Sequence, residues 1–182
     1  VERSNAPRAA GYSAQEKGFA PAQPLSMSQP YAAGALVSTV DDLAKWDAAI
    51  ASGKLLKPAS WKMAFTPYKL SPEKSTGYGY GWGVGTLQGT PVVDHGGGIN
   101  GFRTYALRLP EQKVFVAVLS NADSGNANPE VLAKKAAALA IGKPIMEPKE
   151  IKLDAKALDA FTGVYKTDDE DKRTFTNRDG KL

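Results

Sequence analysis

The sequence predicts an α+β fold, an antiparallel sheet with flanking helices. Three observations carry the prediction. Helical patterns occupy residues 40–65 and 129–141, and period-two segments follow one another between them. The links between those segments are too short for the crossovers that parallel strands require.

The elements follow in chain order. Residues 1–30 are rich in Ala, Pro, Ser, Gly and Gln and contain Pro7, Pro21, Pro24 and Pro30. Such a stretch cannot build a core and is expected as extended chain lying over the rest. Ser38, Thr39 and Val40 lead into Asp41 and Asp42, a helix start with a capping hydroxyl and acids in the first turn. Leu43, Trp46 and Ile50 share one face of that helix, which stops at Gly53. A second short helix is expected from Pro58 to about Phe65, with proline in its first turn. From Gly77 to Val84 glycine alternates with large side chains, which reads as a strand with one bare face. Gln88-Gly89 turns the chain into a partner strand, Pro91 to His95. Phe102–Leu109 and Lys113–Ser120 form a hairpin across Pro110-Glu111-Gln112. Pro129–Ile141 is an Ala-rich helix with Asn128 as its N-cap.

The character changes after Gly142, which divides the chain into 1–142, a charged linker 143–157 and a segment 158–182. In the last segment Leu158–Tyr165 and Arg173–Asn177 read as strands and Asp179-Gly180 as a turn. Two strands do not hold themselves together in water, so this segment reads as the start of an appended β-domain.

Composition narrows the function classes. The chain has 182 residues, 42% hydrophobic and 23% charged, which excludes a disordered tail, a coiled coil and a collagen-like fibre. No apolar run approaches the roughly 20 residues of a membrane-spanning helix, so no membrane segment is expected in this chain. Val1 opens no signal-peptide pattern, and a start other than Met is expected of a mature or excised piece. With no cysteine and one histidine, neither a metal nor another cofactor is implied. The net charge of +4 arises within residues 1–142 without a basic block, so nucleic acid is not an expected partner.

The most unusual local feature is Asp94-His95-Gly96-Gly97-Gly98-Ile99-Asn100-Gly101-Phe102. The only histidine ends a strand, and three glycines leave successive backbone N–H groups unshielded. Such backbone can lie against a substrate and donate to a developing oxyanion, with the imidazole as an added donor. The plainer alternative is a glycine-rich turn capped by a histidine. No helix starts at Gly101, which removes a phosphate loop. Ser71-Pro72-Glu73-Lys74 matches the S-x-x-K spacing of a serine nucleophile and its lysine, but in a loop context rather than at a helix start. Ser124-Gly125-Asn126 matches S-x-N within a polar loop. Tyr78, Tyr80 and Trp82 form an aromatic stripe, core or pocket wall, with Tyr80 the candidate substrate contact.

Four blocks together resemble the β-lactamase-related serine hydrolases, a family of class C β-lactamases, D-Ala-D-Ala carboxypeptidases and esterases. Tyr31–Trp46 resembles the family's A-G-G-L-x-S-T-x-x-D-L-x-x-W stretch, and Tyr78–Trp82 its Y-G-x-G-W element. His95 to Phe102 is similar to H-x-G-G-x-x-G-F, and Val118–Asn121 to V-x-L-S-N. The blocks come in the family's order across roughly residues 8–142. The resemblance implies a partial β-lactamase/transpeptidase-like fold and acyl-enzyme hydrolysis of a peptide, lactam or ester. His95 and Gly98 would then be catalytic, Gly98 through half of an oxyanion hole. Gly96, Gly97 and Tyr80 would bind substrate along a strand edge. Nothing at positions 1–30 matches the family's S-x-x-K or Y-x-N. The chain is therefore expected to be the C-terminal part of a catalytic domain, inactive alone, that dimerises or pairs with a missing N-terminal half. The tail is similar to the opening of a small β-barrel domain appended to such hydrolases. A periplasmic or secreted location follows from the resemblance alone. A non-catalytic cell-wall-peptide binding module on the same fold is the alternative.

Overall fold

A computed structural model describes residues 7–72, 74–126, 128–147, 151, 153–166 and 172–181. They fall into two units, residues 1–145 and 146–182.

The first unit opens with a small hairpin, β1 (Tyr12–Ala14) and β2 (Phe19–Pro21), and a single turn of helix, α1 (Tyr31–Gly34). The N-terminal stretch is thus not simply extended chain. Its backbone bonds to residues beyond the sheet: the Tyr12 N–H donates to the Asn121 carbonyl and the Asp123 N–H to the Tyr12 carbonyl, each at 3.0 Å. Helix α2 (Val40–Ala51) is capped where the sequence places the cap, with the Thr39 hydroxyl accepting from the Asp42 N–H at 3.2 Å. A cap of this kind is worth about 1 kcal/mol. Helix α3 (Pro58–Ala64) follows, then a two-strand hairpin of β3 (Lys69–Ser71) and β4 (Lys74–Ser75).

The expected strand across Gly77–Val84 is not formed. The backbone reaches sheet geometry only at β5 (Gly83–Leu87). Gly77 and Gly81 take φ of +65° and +76°, outside the β region, and the Gly79 N–H closes a turn onto the Trp82 carbonyl at 2.8 Å. The bare face has another use. A Cβ on Gly79 would lie 2.1 Å from the Ala64 carbonyl oxygen, so the glycine lets the end of α3 approach.

β5 begins a four-stranded antiparallel meander with β6 (Thr90–Ile99), β7 (Phe102–Leu109) and β8 (Val114–Ser120), in sequential order. Gln88 and Gly89, both at positive φ, join β5 to β6 as a two-residue hairpin. Helix α4 (Pro129–Ala140) starts at Asn128, whose side chain accepts from the Glu130 N–H at 3.0 Å. It covers one face of the sheet: Ala133, Ala137 and Ala138 bury against Val92, Tyr105, Leu107 and Leu109. Small residues on α4 let the helix lie close to the pleat, and Leu107 and Leu109 are 1% and 0% exposed. On the other face α2 is joined to β7 by the buried Arg108–Asp47 ion pair, Nε to Oδ1 at 2.8 Å.

In the second unit α5 (Ala155–Asp159) is capped by Asp154, whose carboxylate accepts from the Ala157 N–H at 2.7 Å. The strand expected from Leu158 therefore starts later, at β9 (Gly163–Lys166), because the Asp154 cap draws Leu158 into the helix. β10 (Lys172–Phe175) pairs with it antiparallel, and Asp179-Gly180 makes the expected turn, bridged by Arg178 and Lys181. Part of the segment read as a linker, residues 148–150 and 152, lies outside the described residues.

Candidate active site

The His-Gly-Gly-Gly segment is strand, not turn. β6 continues through His95 and the three glycines to Ile99, and the chain reverses only at Asn100-Gly101. Gly96, Gly97 and Gly98 pair with Tyr105, Thr104 and Arg103 of β7. Their φ angles are negative, so β7 carries them as ordinary extended backbone.

The two edges of β6 differ. β7 runs beside Val93 through Ile99, whereas β5 pairs only from Thr90 to Asp94, where Gly83 faces Asp94. Among the described residues no strand pairs with His95–Ile99 on the β5 side. His95 and the three glycines are exposed along this free edge.

The glycines are not equivalent. A Cβ on Gly96 would meet the Tyr105 ring at 3.1 Å, and one on Gly97 the Thr104 hydroxyl oxygen at 2.8 Å. A Cβ on Gly98 would meet only the Phe102 carbonyl oxygen, at 3.9 Å, which is ordinary contact. Packing accounts for Gly96, a movable hydroxyl opposes Gly97, and nothing in the fold requires glycine at 98.

His95 is met by Tyr78, whose Oη lies 2.7 Å from His95 Nε2. Tyr80, two residues on, has an exposed ring, and its N–H donates to the Ala64 carbonyl at 3.0 Å. Trp82 joins Trp46, Ile50, Val93, His95 and Arg108 around a cavity of about 130 Å³ between α2 and the sheet. The aromatic stripe is thus divided into a histidine partner, an exposed ring and a cavity wall. On the opposite face of the sheet, burial and then the neighbouring Asp94 carboxylate push the Tyr105 phenol up, so it stays neutral there.

The turn after Ile99 is tied down by Asp123. Its carboxylate accepts from the Gly101 N–H at 2.6 Å, the Ser13 hydroxyl at 2.8 Å and the Ser124 hydroxyl at 2.8 Å. The Gly101 bond above all, then the two hydroxyls, hold its pKa below the usual carboxylate value. In the sequence Tyr78 is one of three stripe aromatics, and Asp123 carries no signal of its own. Tyr78 belongs to the stripe that was read, but only the folded turn shows which tyrosine reaches the histidine. Asp123 lies in a polar run after β8, and its main partner is 22 residues away.

The remaining candidates are elsewhere. Ser71 and Lys74 face each other across the β3–β4 hairpin, both exposed, and Glu73 lies outside the described residues. They are not on a helix, the setting that would set the hydroxyl and amine side by side. Ser124 accepts from the Ala14 N–H at 2.7 Å and donates to Asp123, which occupies it structurally. No group of residues able to hold a metal ion occurs among the described residues. No described helix is long and apolar enough to cross a membrane.

Comparison with known proteins places the chain in a family. The family model described as Beta-lactamase matches residues 1–141. Penicillin-binding protein 4* of Bacillus subtilis (strain 168) is 29% identical over 136 residues, covering 72% of this chain and 29% of that protein. The unguisins hydrolase ungD′ of Aspergillus campestris (strain IBT 28561) is 26% identical over 117 residues, covering 60% and 22%. Among solved structures, the octameric penicillin-binding protein homologue from Pyrococcus abyssi superposes with a TM-score of 0.59 at 29% identity, over 75% of this chain and 31% of that one. The chain spans less than a third of the length of each of these relatives. An antiparallel sheet between helices and a family match across residues 1–141 agree: the chain belongs to the beta-lactamase family of hydrolases.

Proposed function

We propose that this chain supplies the substrate-strand edge of a serine hydrolase that works through an acyl-enzyme on a peptide, lactam or ester. The observation that carries the reading is the half-open strand: β5 pairs with β6 as far as Asp94 and stops there, leaving His95 to Ile99 paired with β7 alone. An extended substrate can add there as a further strand, with the backbone supplying its hydrogen bonds. His95 donates to the substrate or holds a proton beside it. The Gly98 N–H forms half of an oxyanion hole, completed by the N–H of a nucleophile that residues outside this chain supply. Gly96 and Gly97 keep the edge low, and the exposed Tyr80 ring serves as a contact at its rim. The chain is then the C-terminal part of a catalytic domain, and the N-terminal part covers the apolar surface at Leu36 and Val37, 94% and 67% exposed. The similarity to penicillin-binding proteins favours a cell-wall peptide substrate and a periplasmic or secreted location.

Gly97 offers the test. In the whole protein, Gly97→Ala is expected to weaken substrate binding, and so is Gly97→Ala combined with Thr104→Ala, which removes the 2.8 Å conflict. Gly98→Ala, which keeps its N–H and meets no such obstacle, should have a smaller effect. If the double variant binds and turns over substrate normally per folded molecule, the glycine served packing only and the substrate-edge reading falls. Substrate bound but never cleaved would instead identify a binding module.

A further inference from the structure

We propose that Tyr78 sets the tautomer of His95: its hydroxyl donates to Nε2, which leaves the ring proton on Nδ1. Tyr78 is then a positioning residue, and the inference rests on reading His95 as a group that faces substrate.

The geometry is that of a directed hydrogen bond. Oη and Nε2 are 2.7 Å apart, while the rings are tilted by 58° with centroids 5.9 Å apart, so they meet at an edge rather than by stacking. That separation is usual for a hydroxyl donor and short for a ring N–H donor. A neutral imidazole has one donor nitrogen and one acceptor nitrogen, and the partner of one decides the state of the other.

The backbones that carry the two rings are tied in place. The Tyr78 carbonyl accepts from the Tyr68 N–H at 2.9 Å, and the Tyr78 N–H donates to the Thr76 hydroxyl at 3.1 Å. Tyr78 bridges to Gly83, and Gly83 pairs with Asp94, the residue before His95. Phenol and imidazole therefore hang from adjoining rungs of one sheet. With Nε2 occupied by Tyr78, the Nδ1–H is the donor left for a substrate carboxylate or carbonyl. A neutral imidazole without that partner would present either nitrogen.

His95 is the chain's only histidine, so one ring gives one set of imidazole signals. The test is a two-bond 1H–15N correlation on the full 182-residue chain with 15N-labelled histidine, at a pH where the ring is neutral. The expected wild-type pattern has the proton on Nδ1 and a bare Nε2. Tyr78→Phe should raise the Nε2–H form to at least half of the population, while Tyr80→Phe keeps the wild-type pattern. Should the Phe variant not fold, Thr76→Val loosens the Tyr78 backbone and should lower the Nδ1–H share. A wild-type spectrum dominated by Nε2–H overturns the proposal, and so does a folded Tyr78→Phe or Thr76→Val chain with an unchanged pattern. The measurement needs neither substrate nor nucleophile. A whole protein that hydrolyses nothing sinks the hydrolase reading and leaves the tautomer result standing.

Discussion

The two halves of β6 lie on one continuous strand, yet they serve different ends. From Thr90 to Asp94 the strand is paired with β5, joined by β7 from Val93 onward, and Thr90, Val92 and Val93 are buried. From His95 to Ile99 it keeps β7 on one side, loses β5 on the other and carries three exposed glycines. The first half holds the fold together, while the second is carried by the fold and left open. An exposed strand edge is ordinarily a liability, which proteins blunt with charge, proline or a covering segment. His95–Ile99 carries no proline and no acidic or lysine side chain, and only at its Ile99 end does α1 lie against it, so His95 to Gly98 stay exposed.

If the halves divide in this way, stability and activity should respond separately. The largest stability loss belongs beside the buried half. Leu107 pairs with Asp94 and is 1% exposed, so Leu107→Ala should destabilise the chain by about 2–5 kcal/mol, read by denaturant unfolding. A loss under about 1 kcal/mol would mean that the core lies elsewhere.

His95→Ala should do the reverse. In the whole protein turnover should fall by roughly 10²–10³-fold, the usual cost of one oriented donor in a reacting site. Unfolding free energy should move by no more than about 0.5 kcal/mol, as for an exposed residue. Equal losses in both measurements would erase the distinction between the halves.

The smallest effect is expected at the far end of the open half, where Asp123 anchors Gly101. Its pKa in the fold lies below the ordinary 3.8, so the anchor contributes fully above that value and is lost as pH falls through the lower one. Melting temperatures of the wild type and Asp123→Asn should therefore differ at neutral pH and converge below about pH 3.8. The Gly101 amide should exchange faster in the variant at neutral pH. A gap that stays constant down to acid pH would show that the carboxylate charge plays no part.

Local signals were legible wherever neighbours in sequence are also partners in space. The Thr39 and Asn128 caps, the Gln88-Gly89 turn and the limits of Phe102–Leu109 all follow from residues within a few positions of each other. Gly77–Val84 misled because alternation alone does not distinguish glycine serving a strand from glycine serving turns. Positive φ at two of them and the Ala64 carbonyl against Gly79 decided for turns. His95–Gly98 misled in the opposite sense, since glycines that suggest a turn are held extended by Tyr105, Thr104 and Arg103 across the ladder.

By itself the sequence determined the fold class, the places of α2, α3 and α4, the β7–β8 hairpin and the family, because caps, period and motif order depend on short separations along the chain. The candidate site's shape was decided only in three dimensions. That β5 stops at Asp94, that Tyr78 rather than Tyr80 meets the histidine, and that Asp123 reaches back 22 residues to Gly101 all depend on strand register and on contacts between distant segments. Period and propensity carry no information about which distant backbone will lie alongside, so those features appear only when the chain has packed.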